Sequence, residues 1–88
     1  MTAPLDHREA SDRYRGEMFR QDGFRIILCK DGIQWILQRQ DKLAGSRWRA
    51  VGYCMTRAAL IRLWTGVNRD IPPELEALPD TVRGRRNG

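Results

Sequence analysis

The chain has one histidine, two cysteines, two phenylalanines and no apolar run longer than a few residues; Ile26-Ile27-Leu28-Cys29 is typical. Nothing in it therefore reads as a membrane-crossing helix. Asp6, Glu9 and Asp12 stand early in the chain, where a secretory signal would need an apolar stretch. Two cysteines without such a signal read as reduced thiols, so a cytoplasmic location is expected, with a bacterial or phage-like setting. His7 has no Cys or Ser at a useful spacing and reads as a solvated surface residue. Cys29 and Cys54 have no neighbouring Cys or His with which to hold zinc. Strands separated by one other strand would hold them about 10 Å apart, beyond disulfide reach, so they read as small buried hydrophobes. The acids are scattered and form no acid/base couple, and the glycines form no phosphate loop. These readings argue against an enzyme and call for no metal or cofactor.

What the chain does have is basic charge, unevenly placed. Its 88 residues carry a formal charge of +5. Residues 1–22 hold four arginines against five acids, residues 23–70 hold nine Lys/Arg against three acids, and residues 71–88 balance at three against three. The basicity sits on the part expected to fold, and such a balance favours polyanionic partners.

Three segments follow: a polar arm or weak helix over 1–22, a single domain over 23–79 and a disordered tail over 80–88. Ala10, Tyr14 and Met18 recur at four-residue steps, which suggests a helix or an arm that orders on a partner. Phe24–Cys29 and Ile33–Arg39 are β-branched and aromatic enough to be strands. Asp31-Gly32 between them predicts a two-residue hairpin turn. That register pairs Leu28 with Trp35, Ile26 with Leu37 and Phe24 with Arg39, gathering the large apolar residues on one face. A third strand is expected over Arg47–Cys54, with Trp48, Ala50, Gly52 and Cys54 turned toward the core. Thr56 is placed to cap a helix over Arg57–Thr65, with Met55 and Leu60 as a hydrophobic staple. Leu60, Leu63, Trp64 and Val67 form its core face, and Gly66 suits a left-handed terminus. Pro72-Pro73 opens a short second helix that docks through Leu75 and Leu78. The expected fold is therefore α+β: a three-stranded antiparallel β-meander on one main α-helix, with a short C-terminal helix and an N-terminal helix or arm.

This arrangement leaves one sheet face open, and on it fall Arg25, Gln34, Gln38, Arg47, Arg49 and Tyr53. Arginine and glutamine can read purine edges, and a sheet of this width can enter a major groove. Nucleic acid is therefore the expected partner of these six residues. The same face carries Ile27, Ile36 and Val51, which with Tyr53 could instead meet a protein partner or form a homodimer seam.

The run RWRAVGYCMTRAALIRLW, from Arg47 to Trp64, resembles the strand-to-helix passage of sheet-reading DNA-binding domains. Those domains occur in plant ethylene-response factors and at the N-terminus of phage-type tyrosine recombinases. In them a Trp- or Arg-containing strand, a Gly-aromatic step, a Thr cap and an Ala-rich helix follow in that order. The resemblance implies DNA contact by Arg25, Gln34, Gln38, Arg47 and Arg49. Here the helix is short, and Gln34 and Gln38 stand where those families usually have basic residues. The segments CKDGIQWILQR and WRAVGYC are also similar to small proteins of bacterial chromosomes and mobile elements. That similarity implies no activity, but a phage-type inhibitor or adaptor that binds a host protein would be equally small.

Overall fold

The computed structural model describes residues 8–44, 47–68 and 70–82. The fold is α+β, with a four-stranded antiparallel sheet and two helices. Strands β1 (Glu17–Gln21), β2 (Phe24–Leu28), β3 (Trp35–Asp41) and β4 (Arg47–Cys54) lie side by side in chain order. Helices α1 (Arg57–Thr65) and α2 (Pro73–Glu76) follow.

β1 occupies the segment where an arm or helix was expected, so the meander has four strands rather than three. Its cause is a second Asp-Gly step. Asp22 and Gly23 both adopt left-handed backbone, with φ of 55° and 83°, and Gln21 pairs directly with Phe24. Two consecutive positive φ values are the signature of the type I′ hairpin turn that suits twisted strands. Residues 8–16 run as turns across the sheet, without a helix. His7 lies outside the described residues.

The β2–β3 register is the expected one, with Leu28 opposite Trp35, Ile26 opposite Leu37 and Phe24 opposite Arg39. The turn differs. Only Gly32 has positive φ, the Gly32 amide donates to the Cys29 carbonyl, and the Cys29 amide donates to the Gln34 carbonyl. The loop is thus longer than two residues, and Gln34 lies in it rather than on a strand.

β4 carries the decisive irregularity. Leu37 pairs with Gly52, but Gln38 pairs with Ala50, which leaves Val51 as an extra residue in a bulge. Side chains alternate between faces with a period of two, so one inserted residue exchanges the faces of everything beyond it. Gly52 and Cys54 keep the expected side, with Leu37 and Trp35. Trp48 and Ala50 move to the other side, with Gln38 and Gln40, while Arg47 and Arg49 move to the side of Asp41 and Arg39.

On the helix face, Ile26, Trp35, Leu37, Cys54, Leu60, Trp64, Leu75 and Leu78 form the main core. The Thr56 side chain accepts a hydrogen bond from the Ala59 amide at 3.2 Å and starts α1 as expected. Gly52 allows the helix to sit close, because a side chain there would overlap the Leu63 methyls. Three details of α1 depart from expectation. Met55 is exposed and makes no staple, Gly66 ends the helix in right-handed backbone, and Val67 is exposed. Leu75 of α2 and Leu78 just beyond it dock as the sequence indicates. The following residues are not free: Thr81 bridges Thr56, the Val82 amide reaches the Met55 carbonyl at 3.1 Å, and Asp80 pairs with Arg57. Among the described residues no helix is long and apolar enough to cross a membrane.

Candidate nucleic-acid interface

The sheet face away from the helices is closed, and its residues explain how. Tyr14 lies over Ile27, Cys29 and Ile36 to make a second small core. Its hydroxyl donates to the Leu28 carbonyl at 2.8 Å. Beside this apolar cap the arm, residues 8–16, is fastened by polar groups. Arg25 is fully buried. Its Nε donates to Gln38 Oε1 at 2.7 Å and its Nη1 to Glu17 Oε1 at 2.9 Å. Its Nη2 donates to the carbonyls of Glu9 and Ser11. Gln38 Nε2 shares the Glu9 carbonyl, and the Trp48 amide donates to the Ala10 carbonyl.

Trp48 lies under this network. Its ring is stacked by the Arg25 guanidinium at 4.4 Å and by that of Arg20 at 5.0 Å. Its Nε1 donates to Asp12 Oδ1, which also accepts from Arg20. The hydrogen bond from Trp48, aided by Arg20, holds the Asp12 carboxyl below its usual range. Burial works against the Glu17 charge, but hydrogen bonds from Arg20 and Arg25 outweigh it and lower that carboxyl too. Burial depresses Arg25, with Glu17 opposing the effect.

The expected site is therefore dispersed. Arg25 and Gln38 are internal, their polar atoms taken up by one another, by Glu17 and by the arm, and Gln34 is half-buried in the β2–β3 loop. Of the apolar alternative, Ile27 and Ile36 are buried beneath Tyr14, while Val51 and Tyr53 remain exposed. Arg47 and Arg49 are exposed, but on the opposite face from Arg25, because of the bulge.

The bulge assembles a different constellation. α1 rises from the β2–β3 end of the sheet and inclines toward β1, where Trp64 meets Phe19 and Phe24. The far end of the β3–β4 ribbon is left outside its cover. There Arg39 stands directly across the ladder from Arg49, and Arg47 across from Asp41. Asp41 Oδ2 accepts from Arg49 Nε at 2.6 Å. Lys42 follows in the 3-10 turn over Lys42–Ala44. Arg39, Lys42, Arg47 and Arg49 are all exposed, and among the described residues neither Arg39 nor Arg47 has an ion-pair partner.

No protein-family model, curated protein or solved structure gives a significant match to the chain. Arg47 lies between two clefts of about 300 Å³, one bordered by Arg8 and Asp12 and the other by Asp41 and Trp48. These are at the small end of ligand pockets. Among the described residues no group of three or more His, Cys, Asp or Glu is placed to hold a metal ion. Cys29 and Cys54 are buried free thiols in the separate cores of the two faces, and burial raises the Cys54 thiol.

Sequence reasoning missed Arg39 and Lys42 as site residues. The predicted hairpin register did pair Arg39 with Phe24, on the helix side. That an arginine there escapes the helix depends on the inclination of α1, which no local pattern encodes.

Proposed function

We propose that the chain is a non-catalytic nucleic-acid-binding module that uses the uncovered end of the β3–β4 ribbon. The observation that carries this reading is the Arg39–Arg49 pair. Like charges directly opposite on adjacent strands oppose folding. Asp41 pairs with Arg49 and stands across the ladder from Arg47, so a single carboxylate faces three arginines. A polyanion laid across the ribbon relieves all three, with Lys42 extending the contact. Phosphates supply the sequence-independent part of such binding. A two-stranded ribbon is also narrow enough for a major groove, where arginine can read guanine. The resemblance of Arg47–Trp64 to sheet-reading DNA-binding domains points the same way. In this reading Arg47 and Arg49 keep the role the resemblance implies, Arg39 and Lys42 join them, Arg25 and Gln38 hold the scaffold, and Gln34 lies in the β2–β3 loop. A cytoplasmic site of action suits two buried free thiols.

The test is a fluorescence-anisotropy titration of labelled duplex DNA, single-stranded DNA and RNA at two salt concentrations. Binding should weaken steeply as salt rises. The double variant Arg39→Ala/Arg47→Ala should flatten that salt dependence by about two phosphate contacts while leaving the fold intact. Failure to bind any of the three at low salt would refute the reading.

A further inference from the structure

We infer that Leu43, at the tip of the β3–β4 ribbon, is a wedge that enters between adjacent base pairs of duplex DNA and kinks it while the nearby cations hold the flanking phosphates. The inference rests on the nucleic-acid reading above and commits it to a duplex. Leu43 is 100% exposed, with Lys42 beside it in the 3-10 turn. Exposed leucines are common on protein surfaces; what sets this one apart is how it is held and what stands around it. Its amide donates to Asp41 Oδ1 at 3.1 Å, and the other oxygen of that carboxylate accepts from Arg49 Nε at 2.6 Å. One carboxylate thus ties the backbone of the leucine to the arginine that faces Arg39 across the ladder. Arg39 itself is four residues from Leu43, no more than about 14 Å at the rise of a strand. Arg47 opens the returning strand opposite Asp41.

This setting favours DNA over other apolar partners. An apolar side chain driven into a base step partly unstacks it, and the resulting bend brings more of the protein against the backbone. Such a wedge needs a single projecting side chain with positive charge behind it, and the tip supplies both. A protein interface is built on a contiguous apolar patch. Among the described residues, however, the ribbon's other exposed large apolar side chains, Val51 and Tyr53, lie toward its opposite end. A bilayer requires an apolar face far larger than one leucine.

The test titrates the full chain into short duplexes and reads two signals. One is energy transfer between dyes at the duplex ends; the other is the fluorescence of 2-aminopurine substituted at successive steps. Both should rise on binding, because a kink brings the ends together and an unstacked 2-aminopurine is no longer quenched. Leu43→Ala should lose most of both signals, while affinity, carried by phosphate contacts, falls by less than about tenfold. Leu43→Phe should bend and unstack the duplex as the parent does. Leu43 is fully exposed, so neither substitution touches the core, and circular dichroism checks the fold. A bound duplex that stays straight and stacked, or one bent equally by Leu43→Ala, would overturn the inference and leave the nucleic-acid reading standing. No binding to the duplex would overturn both. Capture by phosphatidylcholine–phosphatidylserine vesicles in place of duplex, abolished by Leu43→Ala, would also overturn both and make the tip a membrane anchor.

Discussion

Arg25 donates to groups from three separate stretches of chain: Gln38 on β3, Glu17 on β1, and the Glu9 and Ser11 carbonyls of the arm. Truncating it strands the buried Gln38 amide oxygen, uncovers the Trp48 ring and leaves Glu17 with Arg20, the Glu9 carbonyl with Gln38 and the Ser11 carbonyl with the Tyr14 amide. Arg25→Ala should therefore lower stability by about 3–5 kcal/mol, read from urea unfolding. A loss below about 1 kcal/mol would show that the arm is held chiefly by Tyr14. Asp12 and Glu17 make the same network sensitive to acid. Both carboxyls titrate lower in the folded chain than in the unfolded one, so their stabilisation is complete above the ordinary carboxylate range of about 4. It is lost as pH falls through their lowered folded values. The urea midpoint should accordingly hold steady from pH 7 to about 5 and drop below about 4. Glu17→Gln should start lower at neutral pH and show a smaller acid drop.

Among the elements, β4 and α1 depend on one another through Gly52. A β-branched side chain there meets the Leu63 methyls, so Gly52→Val should destabilise by about 1–3 kcal/mol. Thr56→Ala should remove about 1 kcal/mol through the lost cap. Both are read from thermal unfolding, and equal stability in the glycine variant would mean that α1 does not press on β4. Much of this element structure was legible in the sequence: the β2–β3 register, the Thr56 cap and the Leu75–Leu78 docking edge each follow a local pattern. β1 was also legible, because Asp22-Gly23 announces its hairpin as plainly as Asp31-Gly32 announces the next. The competing four-residue spacing of Ala10, Tyr14 and Met18 masked it. The Val51 bulge was not legible. Trp48 demanded burial on either assignment, and only the arm arriving from the opposite side makes the shifted phase the favourable one.

For the whole molecule, the consequence is an exchange of faces. The side expected to be open is sealed by residues 8–16, and the cations expected there stand at the uncovered end of the ribbon on the helix side. Exposed arginines on the ribbon thus coexist with a fully buried arginine on the neighbouring strand. The most direct measurement follows the arginine side chains themselves, through the Nε–Hε signals in heteronuclear NMR during titration with a short DNA duplex. If the ribbon end is the interface, Arg39, Arg47 and Arg49 shift with added duplex, while Arg25 and the Gln38 side-chain amide stay in place. Shifts at Arg25 and Gln38, with the three ribbon arginines unchanged, would contradict it. The arm would then have lifted, and the covered face would be the one that binds.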